Sequence, residues 1–149
     1  MEISFKCEGL DAWLAKIKAL QGLEKDPRID KALGRGAARV QGAVKSLTPV
    51  DTGNLSNKIF TQHTAPFEWE VNTNVEYAVY VEFGTGKLGD PSVPHTSKDS
   101  WTYYSDKLQR FVTTRGQPAQ HMFVKGFSTM HKTVTEIVRK EVKEIIKNA

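Results

Sequence analysis

The sequence carries one cysteine, Cys7, among 149 residues. That excludes an internal disulfide framework and fits a reducing compartment. No apolar run approaches the ~20 residues that a bilayer-spanning helix needs, so no membrane partner is expected. The opening Met1-Glu2-Ile3-Ser4-Phe5-Lys6 lacks the basic-then-apolar layout of a secretory signal, and synthesis in the cytosol is expected. There is no internal repeat and no low-complexity tract. Nor does one charge dominate: 21 Lys and Arg stand against 17 Asp and Glu, a net charge of +4 with a pI near 9.2. The basic residues are spread along the chain with acids interleaved, not gathered into the face or stripe that nucleic-acid domains use. A mixed, solvated surface accounts for them.

What is present fits a globular chain. A hydrophobic fraction of 39% and a charged fraction of 26% lie near ordinary values. The length suits a single domain, residues 1–149, able to bury a core without staples. Leu10, Trp13, Leu14, Ile17 and Leu20 recur at helical spacing, and Gly22 closes that helix. Asp26-Pro27 opens a second, longer helix whose apolar row is Ile29, Leu33, Ala37, Val40, Val44 and Leu47; Thr48-Pro49 stops it. Gly34, Gly36 and Gly42 weaken it intrinsically, which reflects either loose preference or close approach of another backbone. A third helix is predicted from about Phe127 to Ile146, with Met130, Val134, Ile137, Val138, Val142 and Ile145 continuing its stripe and Glu136 and Lys140 paired outside it.

Between the helices the period changes to two. Phe67, Trp69 and Val71 alternate with Glu68, Glu70 and Asn72, and Lys58 to Thr64 reads as the hairpin partner. Residues 101–104 and 110–114 suggest a second hairpin, while Tyr77 to Val81 fits a strand or a short helical turn. From about residue 86 to 100 the chain is a long polar loop, and such loops are usually functional or disordered. Its aliphatic residues, Leu88 and Val93, are candidate docking anchors. The expected class is α+β, a small, mainly antiparallel sheet packed against a long helix and a C-terminal helix.

Nothing reads as catalytic. His63, His95, His121 and His131 lack metal-ligand spacing, and no general base surrounds Asp51 or Glu82. Gly84-Thr85-Gly86-Lys87 lacks the spacing and the following helix of a phosphate-binding loop. No cofactor or metal is expected.

Three segments carry more. Thr48-Pro49-Val50-Asp51-Thr52-Gly53-Asn54-Leu55 is a helix stop followed by a turn, with Asp51 and Thr52 able to bond nearby amides, Gly53 free to take positive φ, and Leu55 returning to the core. Tyr77-Ala78-Val79-Tyr80-Val81-Glu82-Phe83-Gly84-Thr85-Gly86 sets one acid among aromatic and apolar neighbours before a glycine-flanked exit. Gly116-Gln117-Pro118-Ala119-Gln120-His121-Met122-Phe123 is predicted as an extended lead into the last helix. In this order they resemble a family of tailed-phage tail-completion, head–tail joining or minor tail-component proteins. The resemblance covers about Ala32 onward; it matches the first two segments in full and departs at His121-Met122-Phe123.

The resemblance implies a structural, non-enzymatic virion protein that is made in the host cytoplasm. It would form a ring, a hexamer, at the head-proximal end of a long non-contractile tail. Its partners would be copies of itself, the head connector or stopper proteins and the tail-tube protein, with DNA passing through the lumen unread. The alternatives are a DNA-binding accessory protein, a minor capsid-associated protein, or a small hydrolase or nuclease using His63 or His121.

Overall fold

The structure is a computed structural model and describes residues 10–94, 96 and 98–149; Cys7 and His95 lie outside the described residues. The element order is α1 (Leu10–Gly22), a 3-10 turn (Leu23–Lys25), α2 (Pro27–Leu47), α3 (Asn54–Asn57), β1 (Ile59–Ala65), β2 (Glu68–Thr73), α4 (Ala78–Phe83), β3 (Thr85–Gly86), β4 (Trp101–Ser105), β5 (Arg110–Thr114), β6 (Gly116–Gln117) and α5 (Met122–Lys147). The class is α+β, as expected. The strands, however, fall into three two-stranded sheets, β1–β2, β3–β6 and β4–β5. The segment from Tyr77 to Val81 is settled as helical, with Tyr77 at the N-cap and Ala78 to Phe83 forming α4.

The chain divides into two compact units. The first comprises residues up to Arg39, Thr61–Glu70 and Met130–Ala149. Here α2 starts as its sequence predicts: the Asp26 carboxylate accepts the Arg28 N–H at 2.9 Å, and proline fills the first helical position. Ile29, Ala32, Ala37 and Ile145 are buried. The glycines of α2 make room for side chains, not for a backbone: a Cβ on Gly34 would lie 2.8 Å from Trp69, and one on Gly36 would lie 2.8 Å from Val134. A Cβ on Gly42, in the second unit, would meet none of the described neighbours within 4 Å. On α5, Glu136 pairs with Arg139 one position nearer than the expected Lys140, and Arg35 reaches Glu141 at 2.8 Å.

Asp30 organises the hairpin end of this unit. Its carboxylate accepts the Trp69 indole N–H at 2.9 Å and the Phe67 amide at 3.1 Å, and lies 3.0 Å from His63, whose ring stacks on Trp69. Desolvation pushes this carboxyl upward, but the two N–H donors and His63 outweigh it and hold it below the usual carboxylate range. Stability from a depressed carboxyl is complete above its unfolded pKa and is lost as pH falls through the folded one. The urea midpoint should therefore drop as pH is lowered beneath about 4, and Asp30→Asn should flatten that drop. An equally steep acid limb in Asp30→Asn would show that other carboxylates set it.

The second unit comprises Val40–Phe60 and Val71–Thr129. Val44, Ile59 and Met122 are its largest fully buried side chains, joined by Val40, Leu55, Val75 and Ala78. Gly126 brings α5 against α2 so closely that a Cβ there would sit 2.6 Å from a Val44 methyl. Two expectations about apolar stripes change. Leu47 is 41% exposed and Phe127 is 59% exposed, while Met122, at the start of α5, is fully buried.

Candidate functional site

All three sequence segments fall in the second unit. The first is the turn after α2. Thr48 donates its hydroxyl to the Val44 carbonyl at 2.7 Å and lies 3.3 Å from the Met122 sulfur, so the helix stop is buried and bonded. Gly53 takes φ 77°, the left-handed conformation the sequence suggested, and leads into α3. The space around it is open, with Asn57 Nδ2 3.5 Å from a built Cβ. Gly53→Ala should therefore cost about 1 kcal/mol through conformation alone. A melting temperature equal to the parent's would mean that the turn relaxes without loss.

The second segment forms α4 and its exit, and the third is stitched onto it. The helix ends with carbonyls that no residue of its own can satisfy. Gln120 N–H donates to Val81 O and His121 N–H to Glu82 O, both at 3.0 Å, while Asp90 N–H donates to Phe83 O at 2.7 Å. In return Glu82, buried in α4, accepts the amides of Phe123 at 2.9 Å and Val124 at 3.2 Å. These belong to the first turn of α5, where an N-cap side chain ordinarily supplies the acceptor. Glu82 is thus neither a solvated edge acid nor an exposed contact residue. It caps a distant helix, bonding the amide of Phe123, 41 positions further on in sequence. That cap is why α5 starts at Met122 and why Met122-Phe123 is helical and not extended.

Next to this joint, β3 pairs antiparallel with β6, Thr85 opposite Gln117 and Gly86 opposite Gly116. Gln117 also donates its side-chain amide to Tyr80 O at 2.6 Å. β4 and β5 form a ribbon with Tyr103 opposite Val112 and Tyr104 opposite Phe111.

These elements enclose an open cleft of about 910 Å³. From the first segment Pro49, Asp51, Thr52, Gly53 and Leu55 line it. Tyr77, Tyr80, Val81 and Thr85 come from the second, and Pro118 and Gln120 from the third. The remaining motif residues support the walls: Ala78, Glu82, Gly84, Gly86 and Met122 are buried, and Phe83, Ala119 and Phe123 are half-buried behind them. Trp101, Tyr103 and Thr114 complete the lining from the β4–β5 ribbon. Sequence reading had assigned them no site role; the only signal was an aromatic pair at strand spacing. Leu88 and Val93 are not in the lining; Leu88 is exposed and Val93 half-buried.

The long loop is tied at its base. Asp90 accepts from Ser92 N and Oγ at 2.8 and 2.7 Å and faces His121 at 3.5 Å, while Lys87 pairs with Asp99. Among the described residues no group of His, Cys, Asp and Glu is arranged to hold a metal ion, and no helix is long and apolar enough to cross a membrane.

Compared with known proteins, residues 11–84 match the family described as "Bacteriophage HK97-gp10, putative tail-component". That span contains the post-helix turn and α4 but ends before the segment at Gly116–Phe123. No curated protein and no solved structure gives a significant match. Through those 74 residues, just under half of its length, the chain is similar to the HK97-gp10-like family of phage tail components.

Proposed function

We propose that the chain is a phage tail component, a tail-completion subunit. It closes into a hexameric ring at the head-proximal end of a long tail, between connector or stopper proteins and the tail tube, with DNA passing through unread. The role is structural, without catalysis. One observation supports it above others: the family's turn and α4 build the wall of an open cleft whose aromatic side chains face solvent, with Tyr77 44%, Tyr80 56% and Tyr103 48% exposed. Solvent-facing tyrosines around a cleft suit a protein docking surface, where such residues are enriched. The DNA-binding alternative is less favoured, because Arg35 and Arg139 already pair with Glu141 and Glu136.

Immunogold labelling of intact virions tests the position. Gold should collect at the neck. Label on capsid faces or at the distal tail tip would overturn the head–tail assignment while leaving the family intact.

A further inference from the structure

We propose that the apolar face of α1 from one copy of the chain docks in the second-unit cleft of another copy, joining copies head to tail. The contact would be the subunit joint of the ring proposed above, and to that extent it rests on that reading.

The donor side is unusual for a helix in a folded chain. An amphipathic helix normally hides its apolar stripe. In α1 none of the described side chains from Asp11 to Gly22 is buried, and Trp13, Leu14 and Leu20 are 60%, 42% and 48% exposed. A helix of 13 residues is marginal without packing, so this stripe gains most from a surface to rest on. Exposed tryptophan, as at Trp13, is among the residues that most often anchor an interface.

The acceptor side fits it in chemistry, size and charge. Tyr77, Tyr80, Trp101 and Tyr103 give the cleft aromatic walls. Its 910 Å³ lies toward the upper end of the roughly 300–1,000 Å³ of typical binding clefts, room for an indole and a neighbouring leucine. Among the described lining residues the one charged group is the Asp51 carboxylate, and there is no Lys, Arg or His. α1 brings Lys16 and Lys18 against a single acid, Asp11. Asp51 does pair with Lys107, but both side chains are largely exposed, 73% and 68%. Such surface pairs are weak and exchange readily for an incoming lysine. Donor and acceptor are unlike patches carried by the same polypeptide. That is the requirement for a heterologous contact, which closes into a ring when its rotation permits.

The test places a photoreactive benzoyl-phenylalanine at position 13 of the full-length protein. A 1:1 mixture of ¹⁴N- and ¹⁵N-labelled protein is irradiated at high concentration, and so are virions assembled with the variant. Mixed-isotope cross-links landing on Pro49–Leu55 or Tyr77–Val81 are expected. Trp13→Ala should melt like the parent but weaken self-association at least tenfold in sedimentation. Cross-links confined to one isotope, cross-links to a different region or to the tube protein, or no cross-links in either sample would overturn the proposal. A neck label together with cross-links elsewhere would sink this joint and leave the ring reading standing. Expected cross-links with a label away from the neck would do the reverse.

Discussion

Glu82→Ala should lower folding stability by about 3 kcal/mol, read from urea unfolding followed by far-UV circular dichroism. Two amides in the first turn of α5 lose the acceptor that buried Glu82 supplies, and a hydrogen bond to a charged group contributes about 1.5–3 kcal/mol. The wild-type arrangement also sets a carboxylate at the positive end of a 26-residue helix. Glu82→Gln keeps the shape and one acceptor oxygen, so it should lose about half as much. Because the damage is local to the start of α5, the first amides to gain hydrogen exchange should be those of Phe123 and Val124. Unfolding midpoints of both variants within error of the parent would show that water replaces the carboxylate without penalty, and the long-range cap would have no energetic weight.

The second large effect is expected at Gly116→Ala, a loss of about 2–3 kcal/mol or roughly 10 °C in melting temperature. Gly116 sits at φ 100°, and a Cβ there would lie 2.0 Å from the Thr85 carbonyl oxygen and 3.0 Å from the Gly86 Cα. The neighbours are backbone and cannot swing aside. The mutant must separate β3 from β6, which removes Thr114 to Gln117 from the cleft wall. If Gly116→Ala melts like the parent, the pairing of Thr85 with Gln117 is not part of the stable fold.

Both predictions bear on what could be read from the chain. Elements defined by local signals were legible. The Asp26-Pro27 start and Thr48-Pro49 stop bracket α2, period-two alternation marks β2, the hairpin readings place β1, β4 and β5, and Gly53 takes the positive φ its turn demanded. The convergence of the first two motifs was not legible, since nothing local says that Pro49 and Tyr80 face one cleft. What escaped was non-local. The start of α5 carries no N-cap signature because its cap is Glu82, on another helix. Periodicity likewise counts apolar positions without saying whether they are covered. Leu47 and Phe127 satisfy their stripes and still face water, as does Trp13. Tyr77 to Phe83 was ambiguous for a related reason. Its helix is short, and its C-terminal carbonyls are satisfied by Gln120, His121 and Asp90, not by its own sequence.

The β4–β5 ribbon has a consequence for the life of the unassembled subunit. Among the described residues it stands as a sheet of two strands, with no third strand on either outer edge. Phe111 is 72% exposed, stacked edge-on with Tyr104 at 5.3 Å. An open-edged ribbon with exposed aromatic side chains is a template for unwanted strand addition, and proteins blunt such edges with charge. Here Asp106, Lys107 and Arg110 crowd the tip and Arg115 follows the base. These charges act as gatekeepers whose protection depends on ionic strength, because salt shortens the reach of their repulsion to about 8 Å at 0.15 M and about 3 Å at 1 M. A stock of free subunit is thus colloidally safest in dilute buffer, and concentrated salt turns the same ribbon from a soluble arm into a nucleus for precipitation.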